Sequence, residues 1–148
     1  MARLLLIYIS DGDKIGKGLN MQRNRVKALI VEDNQDLSQL ISEALREEDY
    51  GTDIASDGKS ALRMIKNQIY DVMILDHNLS DIMGLTLLKR INPIRPALKT
   101  VMISAYADNS VIKMARKLGV YDFLEKPFYI EKLVKVVNKA IEKKEDKV

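Results

Sequence analysis

Five times along this chain a short apolar run gives way to a segment whose apolar residues recur at helical spacing, and that alternation limits the fold more than any other feature. The runs are Ala28-Leu29-Ile30-Val31, Val72-Met73-Ile74-Leu75, Thr100-Val101-Met102-Ile103 and Tyr121-Asp122-Phe123-Leu124, with a weaker one at Thr52-Asp53-Ile54-Ala55. Continuous apolar runs of this length read as strands buried on both faces. Between them lie Leu37, Leu40, Ile41, Ala44 and Leu45; Ala61, Leu62 and Ile65; a short segment from Gly84 to Ile91; Val111, Ile112, Ala115 and Leu118; and finally Leu133, Val136, Val137, Ala140 and Ile141. The punctuation agrees. Asn34 and Asp108 are placed to cap helices, Asp57-Gly58 turns into one, Asn92-Pro93 stops one and Gly119 closes one. Five strands each followed by a helix predict an α/β fold, a doubly wound five-stranded parallel sheet with helices on both faces.

A chain of 148 residues holds one domain with a real core and little room for a second. Absence of cysteine excludes disulfide frameworks, thiolate metal sites and cysteine nucleophiles. A net charge of +3, without an aromatic-interleaved basic stripe, gives no reason to expect direct nucleic-acid binding. No segment is long enough to span a bilayer. The run Leu4 to Ile9 after Arg3 is shorter than a secretory core, and Asp11-Gly12-Asp13 follows it, so a cytoplasmic location is expected. Residues 1–25 read as a loosely held N-terminal extension, with Met21 the natural beginning, although Arg3 to Ser10 is β-like enough to pair at a sheet edge. The domain is expected over 26–142 and a charged C-terminal tail over 143–148.

In open parallel sheets, ligands bind outside the carboxyl ends of the strands. Glu32 and Asp33 end the first run, Asp76 the third and Ser104 the fourth, and Lys126 lies just past the fifth. Neighbouring carboxylates repel, and a hard divalent cation with oxygen ligands relieves that repulsion. Mg²⁺ would suit such a set. An aspartate can act as a nucleophile toward phosphorus, with a hydroxyl and a lysine to bind and neutralise the other phosphoryl oxygens. The bland readings are strand-end polarity for Asp76 and Ser104, helix capping for Glu32 and Asp33, and a solvated loop lysine for Lys126. His77, the single histidine, reads as a partly exposed bystander, and Met73 and Met102 as core filling.

Taken together, Leu29-Ile30-Val31-Glu32-Asp33-Asn34, Asp71 to Asp76 with Gly84 downstream, Ser104-Ala105 and Lys126-Pro127-Phe128 make the sequence resemble the receiver domain of bacterial response regulators from Val26 to about Glu142. The resemblance implies a flavodoxin-like strand order 2-1-3-4-5. It implies that Asp76 is the phosphoacceptor, and that Mg²⁺ is held by Glu32, Asp33, Asp76 and the backbone carbonyl of Asn78. It also makes Ser104 the switch hydroxyl, Phe123 the switch aromatic and Lys126 the phosphate-contacting lysine, followed by a cis proline. Asn78 and Tyr106 fall where receivers tune the lifetime of the acyl phosphate, with Tyr106 expected to shield it from water. The family's phosphodonor is a histidine kinase or a histidine phosphotransfer protein.

Three positions depart from the family pattern. Ser80 stands where a proline is usual, which predicts a looser loop; Ser104 replaces the commoner threonine; and Glu32 replaces the frequent aspartate. None removes a group that the chemistry needs. The expected function is therefore a phosphorylation-controlled switch rather than an enzyme, with its own catalysis of phosphorylation and autodephosphorylation, and with an output partner that the residues do not name. A homodimer through the last two helices is one arrangement open to it. No output module follows the domain, so the chain reads as a stand-alone receiver or one excised from a larger protein. Competing readings are a receiver-like adaptor that works without phosphorylation and an aspartyl-phosphate phosphohydrolase. The latter wants a second aspartate where Asn78 stands. Flavin binding is weaker still, because no phosphate loop follows the first strand.

Overall fold

The structure, a computed structural model, describes residues 25–106 and 108–145. Five strands are β1 (Lys27–Val31), β2 (Gly51–Ala55), β3 (Val72–Asp76), β4 (Lys99–Ser104) and β5 (Asp122–Glu125). Five helices alternate with them: α1 (Gln35–Glu47), α2 (Gly58–Asn67), α3 (Gly84–Ile91), α4 (Asn109–Lys117) and α5 (Ile130–Glu145). The strands form one parallel sheet in the order β2-β1-β3-β4-β5, as expected. The expectation for Arg3 to Ser10 falls outside the described residues. The last helix continues through Glu145, so it takes in the first three residues of the expected tail.

Alternation within the strands builds two cores. Ala28 and Ile30 of β1 and Val72 and Ile74 of β3 face α1 and α5, packing with Ile41, Leu45, Leu133 and Val137. Leu29, Val31, Met73 and Leu75 face the opposite way, with Ala61 and Ile65 of α2, Leu87, Leu88 and Ile91 of α3, and Ala115 of α4. Central strands covered on both faces need apolar residues at every position, which is why β1 and β3 carry unbroken runs.

The helix ends follow the expected chemistry. Asn34, Asp57 and Asp108 each accept a hydrogen bond from the backbone N–H three residues on, at 2.9, 2.7 and 2.9 Å. Gly119 has a φ of +86°, the left-handed backbone that ends a helix at little cost to glycine. α1 buries Ser38 and Ser42 beside Ile41 and Leu45, whereas Leu40 is half exposed. The serine hydroxyls are satisfied inside: Ser42 Oγ lies 2.8 Å from Thr52 Oγ1 on β2.

Candidate functional site

β1 and β3 are hydrogen-bonded neighbours, so the chain just past Val31 and the end of β3 emerge side by side. Glu32 is held there by its N–H, which donates to the Ala55 carbonyl at 3.1 Å. Its side chain is buried, and so is that of Asp76, while Asp33 faces solvent. One oxygen from each of the three carboxylates lies within 4.8 Å of the other two. Such a set fits a hard divalent cation, which favours carboxylate oxygens and offsets their repulsion.

Lys126 reaches the same group from the far side. Its Nζ donates to Glu32 Oε1 at 2.9 Å and to Asp76 Oδ2 at 3.3 Å. Burial disfavours the ammonium, but the bond to Glu32 and the charge of Asp76 outweigh it and raise the lysine pKa. Glu32 moves upward too, because burial outweighs its bonds from the Asn34 N–H and Lys126. Three carboxylates and one ammonium sum to two negative charges when all are ionised, and a dication balances that remainder.

β4 and β5 place the remaining groups. Asp76 pairs with Ile103, so Ser104 comes one step beyond it at the same end of the sheet. The Ser104 side chain is fully buried. Its hydroxyl donates to the Tyr106 carbonyl at 2.7 Å, accepts from the Tyr106 N–H at 3.1 Å, and lies 3.0 Å from Asn78 Oδ1. The Lys126 N–H donates to the Ser104 carbonyl at 2.7 Å, which ties the fifth strand's exit to the fourth's. Lys126-Pro127 is a cis peptide, as expected.

The loop from β3 to α3 starts with the Asn78 N–H donating to Asp76 Oδ1 at 3.0 Å. It closes with the Gly84 N–H donating to the His77 carbonyl at 2.7 Å. Phe123 is half-buried against the α4-facing core, in a cleft of about 530 Å³ that Ile112, Ala115 and Arg116 also line. The Tyr106 ring is exposed, and what the residue brings inward is its backbone.

His77 corrects one expectation. It is 5% exposed, buried rather than a partly exposed bystander. Alternation turns it away from the direction of Asp76, yet the protein covers it instead of leaving it in solvent, and that burial lowers its pKa. Its Nδ1 has no hydrogen-bond partner among the described residues.

Asp81 went unnoticed in the sequence. Its carboxylate accepts from the Gly58 N–H at 2.9 Å and the Lys59 N–H at 3.0 Å, at the start of α2. No periodicity marks such a contact, since its partners lie 23 and 22 residues away.

A parallel sheet ordered 2-1-3-4-5, with clustered carboxylates and a lysine outside its carboxyl ends, defines the receiver class of signalling domains. The chain belongs to the response regulator receiver domain family, which it matches over residues 28–138. It is a receiver domain of two-component signalling. Among curated relatives, the nitrogen assimilation regulatory protein NtrX of Azorhizobium caulinodans is 37% identical over 116 residues, covering 77% of this chain and 26% of that protein. The chain spans about a quarter of the length of the curated relatives it matches. A CheY-like receiver domain from Methanospirillum hungatei superposes with a TM-score of 0.81 at 23% identity, over 84% of this chain and 100% of that one. A response regulator from Burkholderia pseudomallei, solved with a phosphorylated aspartic acid and a calcium ion, gives 0.72 at 20% identity, over 83% and 73% of the two chains. At these identities the two structural likenesses are of fold.

Proposed function

We propose that this chain is a switch that takes a phosphoryl group on Asp76 from a histidine kinase or a histidine phosphotransfer protein, and that the switching unit runs over residues 26–142. The observation that carries the reading is Lys126 Nζ bonded to two buried carboxylates, with Asp33 close enough to share a cation with both. Mg²⁺ would be held by Glu32, Asp33, Asp76 and the Asn78 carbonyl, and when bound it neutralises charge on the phosphoryl oxygens. A carboxylate oxygen of Asp76 attacks phosphorus, the phosphorus–nitrogen bond to the donor imidazole breaks, and that nitrogen leaves with the electron pair. Lys126 is already within bonding reach of Asp76 and turns to a phosphoryl oxygen. Ser104 exchanges the Tyr106 carbonyl for another phosphoryl oxygen. That exchange shifts the start of the β4–α4 loop and lets Phe123 repack in the cleft beside α4, which changes the face offered to a partner. The Burkholderia response regulator, which shares this fold, carries a phosphorylated aspartic acid, and that is the modification proposed here for Asp76.

The test is incubation with radiolabelled acetyl phosphate and Mg²⁺. One phosphate per chain is expected, none in Asp76→Asn, and faster loss of label in Tyr106→Ala if that ring shields the acyl phosphate. Labelling of Asp76→Asn at the wild-type level would falsify the assignment. Sustained turnover of small phosphate esters would favour a hydrolase, and unchanged decay in Tyr106→Ala would discard the shielding role.

A further inference from the structure

The loop from β3 to α3, residues 77–83, contains no proline, so no ring fixes its backbone locally. A different restraint is present. Asp81, near the tip of that loop, accepts from the Gly58 N–H at 2.9 Å with one carboxylate oxygen and from the Lys59 N–H at 3.0 Å with the other. Four N–H groups at the start of a helix have no partner within it. In α2 the Asp57 carbonyl accepts the first helical bond, from Ala61, and its side chain serves Ser60, while Asp81 serves Gly58 and Lys59. Two of the three helical N–H groups ahead of that first bond therefore find their partner on a loop more than twenty residues further on.

Apolar contacts reinforce the junction. Leu79 is buried and Ile82 half-buried in the same core as Ala61 and Ile65 of α2. Ile82 sits so close to Gly58 that a Cβ there would lie 2.2 Å from Ile82 Cγ2. At its base the loop is closed by the Gly84 N–H on the His77 carbonyl and by a bridge between Asn78 and Met83. The segment carrying Asn78 is thus fixed at its base, at two apolar side chains and near its tip.

We propose that Asp81 is a positioning residue for the phosphoacceptor pocket: by clamping the loop to α2, it holds Asn78 and the Asp76 carboxylate in the arrangement that receives the cation. Asn78 is the link, since its N–H bonds Asp76 Oδ1 at 3.0 Å. This rests on the reading of the pocket given above. A carboxylate that only capped α2 would be interchangeable with Asp57, whose side chain bonds the Ser60 N–H in the same helix turn.

The experiment compares the full chain with Asp81→Ala, Asp81→Asn and Asp57→Ala. It measures Mg²⁺ affinity by calorimetry, amide hydrogen exchange over residues 77–84 without metal, and melting temperature. Both alanine variants should melt lower. Asp81→Ala should weaken Mg²⁺ binding about tenfold, by loosening the support behind a ligand rather than removing one, and should speed exchange across the loop. Asp81→Asn, which keeps one acceptor oxygen, should fall between and carries the test if the alanine variant does not fold. Asp57→Ala should change neither affinity nor loop exchange. Equal affinities in Asp81→Ala and wild type would overturn the proposal, as would an equal loss in Asp57→Ala. Should wild type bind no Mg²⁺, the pocket reading fails on its own, and unchanged loop exchange in the Asp81 variants would then overturn the clamp separately.

Discussion

Single residues in this protein answer to their surroundings more than to their type. Gly84 is glycine because a Cβ would stand 2.7 Å from both the Asp76 carbonyl oxygen and the His77 Cα, which are backbone atoms with little room to yield. The loop from β3 to α3 can close over β3 only because that side chain is missing. Tyr70 shows the same dependence in its ionisation. It is buried, its hydroxyl donates to Asp53 Oδ2 at 2.7 Å, and Lys27 Nζ lies 5.4 Å from the ring centre. Burial first, then the bond to the carboxylate, pushes the phenol well above its ordinary value of 10.0. The fold therefore favours the protonated phenol. Above pH 10 the unfolded chain releases a proton that the folded chain keeps, so this contribution is complete below pH 10 and declines as pH rises toward the folded value. Wild type should lose up to about 1 kcal/mol more than Tyr70→Phe between pH 9 and 11. Urea midpoints at the two pH values measure this, and parallel declines would refute it.

At the scale of elements, what could be read in advance was whatever rests on periodicity and local capping. The unbroken runs in β1 and β3 announce strands covered on both faces, and Asn34, Asp57 and Asp108 are caps whose partners lie three residues away. Spacing was less informative where a helix mixes small polar residues into its buried face. In α1, Ser38 and Ser42 go inside and Leu40 stays half exposed, because a serine whose hydroxyl finds a partner packs close to the sheet at little cost. α3 departs from the pattern of its neighbours: Met83 occupies its N-cap position in extended backbone, with φ −71° and ψ 140°, and makes no side-chain cap bond. The geometry for a cap is present and the oxygen is missing. Met83→Ser should stabilise the fold by about 1 kcal/mol, since the Met83 side chain is half exposed and packs little. Equilibrium urea unfolding would register the gain, and a midpoint at or below wild type would show that α3 draws nothing from a cap.

The molecule as a whole makes a site that no single element contains. β1 supplies Glu32 and Asp33 at its exit, β3 Asp76, β4 Ser104 and β5 Lys126, and the strand order brings the exits of β1, β3, β4 and β5 into one row. This is why the pocket was legible from sequence once five strands had been counted: parallel strands put all their carboxyl ends on one edge. Asp81 and the burial of His77 were not legible, because each depends on how one loop lies across a helix or core that sequence separation says nothing about. Assembly from several elements also makes the pocket a point of linkage between ligand and fold. With all four groups ionised, the cluster carries two negative charges at one end of the sheet, which only the folded chain brings together. A cation that binds this arrangement and not the unfolded chain must stabilise it. At a Mg²⁺ concentration ten times the dissociation constant, the gain is about 1.4 kcal/mol, or roughly 5 °C in melting temperature for a domain of this size. Asp33 is the natural residue to remove, because it is exposed and Lys126 does not bond to it, so Asp33→Ala takes one carboxylate out of the cluster without leaving a buried charge unpaired. Thermal melts with and without Mg²⁺ should show the rise in wild type and little or none in Asp33→Ala, whose metal-free melting temperature should match or exceed wild type as one repulsive charge is gone. A variant that still rises with Mg²⁺ as wild type does would place the cation away from this cluster.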